Sequence, residues 1–169
     1  AMLRKHSSAP VAGVLRGRFG DSTFEVSIAV PPGEDRAVSV DPSTHAGLRL
    51  ARPRLWWPNG YGDPNLYDVE LRFDAGAGAA SDILVFRAGV RQITHDVEGG
   101  ALHLRINGRR FIPRGGNWGF GESMLRYRGR EYDAAVRYHR DQNFNTIRNW
   151  VGQVGDDEFY DACDRHGIV

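Results

Sequence analysis

The sequence predicts a mainly β fold whose last third is α/β. Over residues 13–95, apolar and polar residues alternate in short runs between turn formers, which is typical of an antiparallel β-sandwich. Near residue 110 the pattern changes to strands that alternate with amphipathic helices, as in a parallel sheet covered by helices. We therefore predict a lead-in without regular structure over residues 1–12, a sandwich domain over 13–100 and an α/β segment over 101–169.

Several short strands account for the β part. Three longer runs alternate strictly and predict strands at residues 24–30, 67–73 and 83–90. Weaker runs predict short strands at residues 38–40 and 48–50. Asn107-Gly108 lies between two alternating apolar runs, and this dipeptide is the strongest short-range signal for a two-residue hairpin turn.

Two helices and a strand between them account for the last third. The apolar spacing predicts a helix from Arg130 to about Gln142 and a second helix from Asp156 to His166. A short strand is predicted at residues 146–148. This helix–strand order indicates that successive strands lie parallel, and enzymes with such sheets hold substrates at the carboxyl ends of the strands.

An arginine stands at that end of the predicted strand. Arg148 follows a β-branched and an apolar residue, so its strand is expected to be interior. An arginine that leaves such a strand needs a carboxylate or another acceptor, because an unpaired buried charge is very costly. The acceptor is either part of a functional site or part of a structural salt bridge, and the residues alone leave both open.

Two tryptophans also follow strand ends. Trp118 follows Asn117, and Trp150 follows a second asparagine. Aromatic faces in a cleft are the usual platform for sugar rings, although packing in the core or a loop is the alternative for each. For Trp56 and Trp57 in the sandwich part, packing against the adjoining domain is the better interpretation.

The composition excludes several classes of partner. The formal net charge is +1, with basic and acidic residues spread along the chain, which does not indicate a nucleic-acid surface. The longest apolar runs are too short to span a membrane, and no signal-peptide pattern opens the chain. We expect neither a nucleic-acid nor a membrane partner.

Metal and cofactor sites are not predicted either. Cys163 is the single cysteine, which excludes an internal disulfide and a cysteine-based zinc site. Gly115-Gly116 lacks the spacing of a phosphate-binding loop. The six histidines lack ligand spacing with a neighbouring carboxylate: His6, His45, His95, His103, His139 and His166.

Three ordered blocks over about residues 45–169 resemble family 2 glycoside hydrolases. Asn143-Phe-Asn-Thr-Ile-Arg148, followed by residues 158–169, is similar to the family's opening barrel signature. Residues 104–118 resemble the lead into its first barrel strand. Leu55-Trp-Trp-Pro-Asn-Gly60, followed by residues 65–71, is similar to the immunoglobulin-like domain that precedes the barrel. The resemblance implies an immunoglobulin-like β-sandwich followed by the first strand–helix units of an incomplete (β/α)8 barrel.

Gly115-Gly-Asn-Trp118 and an arginine followed closely by tryptophan resemble the β-mannosidase and exo-β-glucosaminidase branch. The resemblance implies a retaining hydrolase of β-mannosidic or related β-linked (amino)sugar bonds in oligosaccharides. Trp150-Val-Gly-Gln153 differs from the usual β-mannosidase run, so mannose, glucosamine and a mannosyl-glycan stay open as the sugar. The resemblance assigns Arg148 to support of the nucleophile, and it assigns Trp150, Trp118 and Asn117 to sugar binding.

Both catalytic glutamates of the family lie on later barrel strands. Only 169 − 100 = 69 residues follow Gly100, whereas a complete barrel takes about 250 residues. We therefore expect a fragment without catalytic residues, inactive alone and self-associating through an exposed incomplete barrel. The alternatives are a non-catalytic carbohydrate-binding or adhesion module and a small regulatory protein in which Arg148 is structural.

Overall fold

The structure is a computed structural model of the 169-residue chain, and it describes residues 1–4, 8–76, 80–119, 127–150 and 155–169. Within these residues the chain is mostly β, with two α-helices, as predicted. The strands are β1 (Met2–Leu3), β2 (Val11–Phe19), β3 (Ser22–Val30), β4 (Arg36–Ala37), β5 (Tyr67–Asp74), β6 (Ala80–Ala88), β7 (Ile93–Glu98), β8 (Ala101–Ile106), β9 (Arg109–Phe111), β10 (Gly115–Trp118) and β11 (Thr146–Asn149). The helices are α1 (Gly129–Asp141) and α2 (Asp157–His166). None of the helices in these ranges has the length and apolarity that a membrane span requires.

The chain forms two compact units. The first contains residues 1–52 and 67–87 and is built on a four-stranded sheet of order β3-β2-β5-β6. The predicted alternation produces its core, because Leu15, Ile28 and Val30 are buried on one face. Partly buried apolar side chains from the same unit, including Leu3 and Val38, pack against them.

The amino-terminal residues differ from the expected lead-in. Met2–Leu3 pairs antiparallel with Arg36–Ala37, and the Ala1 amino group donates to the Val38 carbonyl oxygen at 2.7 Å. The predicted strand at residues 38–40 is therefore replaced by a two-residue strand immediately before it. The pairing occurs because the apolar Leu3 gains a place against the core of this unit.

The strand predicted at residues 48–50 is a 3₁₀ helix instead, at Ala46–Leu48. The turn before it explains the difference. Asp41 Oδ1 accepts hydrogen bonds from the Ser43 and Thr44 backbone N–H groups at 2.7 and 3.2 Å. This Asx-type turn satisfies backbone donors locally and directs the chain into the helical turn.

The second unit contains residues 53–66 and 88–169. Its antiparallel sheet β7-β8-β9 has two tight turns. The predicted turn at Asn107-Gly108 is confirmed, with φ of 51° and 78°. Gly99-Gly100 forms the other turn with φ of 58° and 79°, values that glycine adopts readily. The expected domain boundary at Gly100 thus falls inside a hairpin.

Residues 53–66 also belong to this second unit, although the sequence analysis placed them in the sandwich domain. Trp56 is 1% exposed, and its Nε1 donates to the Asp164 carbonyl oxygen on α2 at 2.7 Å. Asn59 Nδ2 donates at 2.9 Å to the carbonyl oxygens of Arg140 and Phe144. These long-range hydrogen bonds tie the loop to the helices.

The end of the chain is a parallel strand–helix repeat. β10 and β11 pair in parallel through α1, and α2 follows β11. The Ile147 N–H then donates to the Val169 carbonyl oxygen, and the Val169 N–H donates to the Asn145 carbonyl oxygen, both at 2.9 Å. Val169 therefore lies beside β11, so three successive segments are neighbours in chain order. Both helices agree with the predicted positions to within one residue.

Candidate functional site

The parallel pair β10–β11 places Asn117 opposite Arg148. The Arg148 guanidinium donates to Asn117 Oδ1 at 2.8 Å, and both side chains are exposed. In the described ranges no carboxylate forms an ion pair with Arg148. The acceptor of Arg148 is therefore the Asn117 amide. A structural salt bridge, one of the two alternatives from the sequence, is not found among the described residues.

β10 begins with two glycines, and the structure requires a glycine at the first of these positions. A Cβ on Gly115 would lie 1.8 Å from the Thr146 carbonyl oxygen, which is part of the neighbouring backbone. A Cβ on Gly116 would have nothing within 4 Å. Glycine is therefore required at position 115 for β10 to approach β11, and this approach brings Asn117 to Arg148.

Asn145 fixes the start of β11. It is 0% exposed, and its Oδ1 accepts from the Arg114 backbone N–H at 2.7 Å and from the Thr146 hydroxyl at 3.0 Å. Its Nδ2 donates to the Ile112 carbonyl oxygen at 3.2 Å. Sequence reasoning missed this role, although an asparagine between a phenylalanine and a β-branched threonine at a strand start was a usable signal. Asn145 is a positioning residue for the strand pair.

Trp118 packs within the second unit. Its ring lies 5.8 Å from Phe159, 5.4 Å from His139 and 5.9 Å from Tyr127, measured between centroids. It borders the buried cluster built around Val136 and Phe159. These contacts agree with the interpretation that Trp118 packs in the core. Its assignment to sugar binding stays a prediction.

Trp150 lies just after β11 and is 54% exposed. The residue before it, Asn149, ends the strand and is the register partner of Trp118. Asn149 Oδ1 is buried and has no hydrogen-bond partner in the part of the chain that the structure describes. Residues 151–154, which follow directly and include the rest of the predicted loop, lie outside the described residues.

Acidic side chains at the start of α2 connect the two helices. Asp156 accepts from Arg128 at 2.5 Å and from the Tyr132 hydroxyl at 3.1 Å, while Glu158 accepts from the Gly129 backbone N–H at 2.6 Å. The Asp156 side chain makes no capping hydrogen bond at the start of α2. Burial, and then the hydrogen bond to Asp156, raise the pKa of Tyr132.

The carboxyl ends of β10 and β11 therefore present one guanidinium, one amide and one exposed indole. The guanidinium supplies positive charge and N–H donors that suit a carboxylate. The amide supplies both a donor and an acceptor, as sugar hydroxyls require, and the indole supplies an apolar face. Among the described residues no carboxylate forms an ion pair with Arg148, so the three groups offer donors, an acceptor and an apolar face but no acid.

The chain is similar to several known proteins. Residues 2–91, more than half of the chain, match the family described as "Glycosyl hydrolases family 2". The chain is 34% identical over its whole length to an exo-beta-D-glucosaminidase of Streptomyces avermitilis, of which it covers 18%. It is 38% identical over 87% of its length to a mannosylglycoprotein endo-beta-mannosidase of Lilium longiflorum, of which it covers 15%.

The fold is also found in solved structures. The exo-chitosanase CsxA of Amycolatopsis orientalis matches 99% of the chain with a TM-score of 0.82 at 24% identity, and the chain covers 19% of it. A family 2 beta-galacturonidase of Eisenbergiella tayi matches 98% of the chain with a TM-score of 0.72 at 22% identity. The chain spans between 15% and 27% of the length of these relatives. Because more than half of its residues match this family, the chain belongs to glycosyl hydrolase family 2.

Proposed function

We propose that this chain is part of a longer retaining glycosidase that cleaves β-mannosidic or related β-linked aminosugar bonds in oligosaccharides. Membership of the family supports a glycoside hydrolase. The names of the relatives, an exo-beta-D-glucosaminidase and an endo-beta-mannosidase, support the choice of sugars. The single observation that carries the proposal is the Arg148–Asn117 pair at the carboxyl ends of two parallel strands.

The order of the last strands supports an incomplete (β/α)8 barrel. β10, β11 and Val169 are neighbours in chain order, and a helix connects each to the next. A (β/α)8 barrel keeps this consecutive order, whereas a doubly wound sheet reverses its order near its middle. We infer that the first unit, with its four-stranded sheet, corresponds to the immunoglobulin-like domain.

Arg148 would serve the nucleophile of that barrel. In a retaining mechanism one carboxylate attacks the anomeric carbon while a carboxylic acid, about 5–5.5 Å away, protonates the leaving oxygen. A guanidinium beside the attacking carboxylate favours its charged form and fixes its orientation. Arg148 uses one described hydrogen bond, to Asn117, so its remaining N–H groups are suited to such a carboxylate.

Asn117 and Trp150 would contact the sugar. Because Asn117 Oδ1 already accepts from Arg148, its Nδ2 group is the donor left for a sugar hydroxyl. Trp150 offers an exposed apolar face for the C–H groups of a sugar ring. Trp118 would border the same sugar-binding surface from the protein interior, since its ring is packed against Phe159.

The isolated chain is expected to be inactive and to self-associate, through its incomplete barrel and also through a second surface on β6. β6 lies at one edge of its sheet and exposes four consecutive apolar residues: Ile83, Leu84, Val85 and Phe86. An apolar strand at a sheet edge readily pairs with another chain. Sedimentation velocity should show oligomers whose fraction rises with concentration, and a Val85→Lys variant should shift the chain toward monomer. A concentration-independent monomer would contradict this part of the proposal.

Activity decides the main proposal. The 169-residue chain and a longer product of the same reading frame are assayed on chromogenic β-mannosides and β-glucosaminides. Only the longer protein should hydrolyse one of them, and proton NMR should show the β-anomer as the first product. Hydrolysis with inversion would refute the retaining mechanism. Tight binding of an oligosaccharide by the 169-residue chain alone would favour a carbohydrate-binding module instead.

A further inference from the structure

The hairpin β7–β8 has one polar and one apolar face. Asp96 and Glu98 lie two residues apart on β7, so their side chains point to the same side of the sheet. His103 on β8 is the cross-strand partner of Asp96 and shares that side. The opposite side carries His95, whose cross-strand partner is Leu104. Three potential metal ligands are thus gathered on one face.

The distances within this group suit one small cation. His103 Nδ1 lies 3.2 Å from Asp96 Oδ1 and 3.9 Å from Glu98 Oε2. The three ligand atoms all lie within 4.8 Å of one another. Ligands in a tetrahedral zinc site, with bonds of about 2.0–2.2 Å, are separated by about 3.3–3.6 Å. Only the flexible Glu98 side chain, 85% exposed, needs to move to reach that separation.

A neighbouring arginine orients one of the ligands. Arg105 lies 3.6 Å from Asp96 Oδ2, which is the carboxylate oxygen that does not face His103. This contact holds the carboxylate with Oδ1 toward the imidazole, as the outer partners of metal ligands commonly do. The two carboxylates and Arg105 sum to one negative charge, which favours a cation. Arg110, the partner of Arg105 on β9, lies one strand further away.

We propose that Asp96, Glu98 and His103 form a zinc-binding site on the β7–β8 hairpin. One imidazole nitrogen with two carboxylate oxygens is a donor set that suits Zn²⁺, whereas Mg²⁺ and Ca²⁺ prefer oxygen ligands alone. The fourth position is open to water, because the site lies on the protein surface. The turn at Gly99-Gly100 fixes the strand register, so the ligands are close together before metal binds.

The site does not depend on the proposed glycosidase activity. Its three residues lie on an antiparallel hairpin and not on the parallel pair that carries Arg148. Bound zinc would join the two strands near their turn. Since zinc binds the folded hairpin and not the unfolded chain, it should raise the stability of the second unit by mass action.

The test is a calorimetric titration of the 169-residue chain with ZnCl₂, with MgCl₂ as the comparison metal. We expect one zinc per chain and no measurable heat from magnesium. His103→Ala should weaken zinc binding at least tenfold, and so should Glu98→Gln. His95→Ala is the matched control, because it removes an exposed imidazole from the opposite face of the same hairpin and should leave the affinity unchanged.

Two outcomes would overturn the site. The first is the absence of zinc binding, in which case the group is an ion-pair network between His103 and its carboxylates. The second is an equal loss of affinity in His95→Ala and His103→Ala, which would indicate unspecific binding to histidines. If His103→Ala fails to fold, the exposed Glu98→Gln variant decides, together with the visible spectrum of bound Co²⁺, which should indicate tetrahedral coordination in the unmodified chain.

Discussion

Arg148 donates a hydrogen bond of 2.8 Å to Asn117 Oδ1 across the parallel strands β10 and β11. The bond joins Arg148, which the strand-end argument selected, to Asn117, which the family resemblance assigned. It also fixes the direction of the guanidinium, because an amide acceptor on the neighbouring strand restrains a side chain that is otherwise exposed. The relationship explains why an arginine at this strand end needs no carboxylate within the described part of the chain.

Replacement of Arg148 is expected to remove most activity from the proposed longer enzyme. Arg148→Gln keeps a hydrogen-bonding group but loses the charge that would stabilise a nucleophilic carboxylate, so kcat/KM should fall by a factor of about 10²–10³. The measurement is steady-state hydrolysis of a chromogenic glycoside. Arg137→Gln, which changes an exposed arginine on α1, is the control and should stay within twofold of the unmodified enzyme. Full activity in Arg148→Gln would refute the assigned role.

Asn145 should contribute strongly to stability. Asn145→Ala leaves the Arg114 backbone N–H and the Ile112 carbonyl oxygen without their buried side-chain partner, at a cost of about 3 kcal/mol in the free energy of unfolding. Urea denaturation followed by tryptophan fluorescence measures this loss. Asn117→Ala removes an exposed asparagine from the adjacent strand and should cost under about 0.5 kcal/mol. Equal losses in the two variants would contradict the positioning role of Asn145.

The two glycines of β10 should respond differently to alanine. Gly115→Ala forces a methyl group against the Thr146 carbonyl oxygen, so the strands must separate, and we expect a loss of about 2–3 kcal/mol. Gly116→Ala meets open space and should be neutral or slightly stabilising. Hydrogen exchange of the β11 amides reports the separation directly. Unchanged protection in Gly115→Ala would show that the strands tolerate the methyl group.

Local patterns in the sequence predicted much of this fold. The alternation of residues 24–30 and 67–73 and the helical spacing of the last third each describe a segment and its neighbours, and these strands and helices were found. The end of a parallel strand was likewise enough to select Arg148 as a candidate, whereas Asn117 became a candidate only through the family resemblance. The boundary at Gly100 was harder, because a pair of glycines has the same appearance in a linker and in a hairpin turn.

The remaining features depend on contacts between distant residues. Trp56 lies 108 residues before Asp164, to whose carbonyl oxygen it donates, and periodicity contains no information on such a pairing. The same holds for Asp96 and His103, since only the register of β7 against β8 brings them together. Spacing along the chain had therefore given no reason to expect a metal site.

Stability should depend on pH through Asp133. Hydrogen bonds from Arg165 and then His166 lower the pKa of this carboxyl below its ordinary value in the folded chain. A group with a lowered folded pKa stabilises the protein above its unfolded pKa, about 3.9, and loses this effect as the pH falls through the folded value. Asp133→Asn should therefore be less stable than the unmodified chain at pH 7, and the difference should shrink below about pH 4. Urea midpoints at pH 3, 4, 5 and 7 measure it, and a difference that is constant across this range would contradict the assignment.

Cys163 should be protected from thiol reagents while α2 is folded. Burial raises the pKa of its thiol from 9.0 to about 12. At pH 8 the reactive thiolate is then about one part in 10⁴ of the folded chain and about one part in 10 of the unfolded chain, a ratio on the order of 10³. Reaction with a chromogenic disulfide should be slower by that factor in the native chain than in 6 M guanidinium chloride.

A variant near the start of α2 tests the dependence on helix packing. Gly155 lies against Phe159, and Phe159 shares the buried face of α2 with Ala162. A Gly155→Ala variant should therefore loosen the helix and speed the reaction. Rapid labelling of the unmodified native chain would show that α2 opens readily and that burial does not control this cysteine.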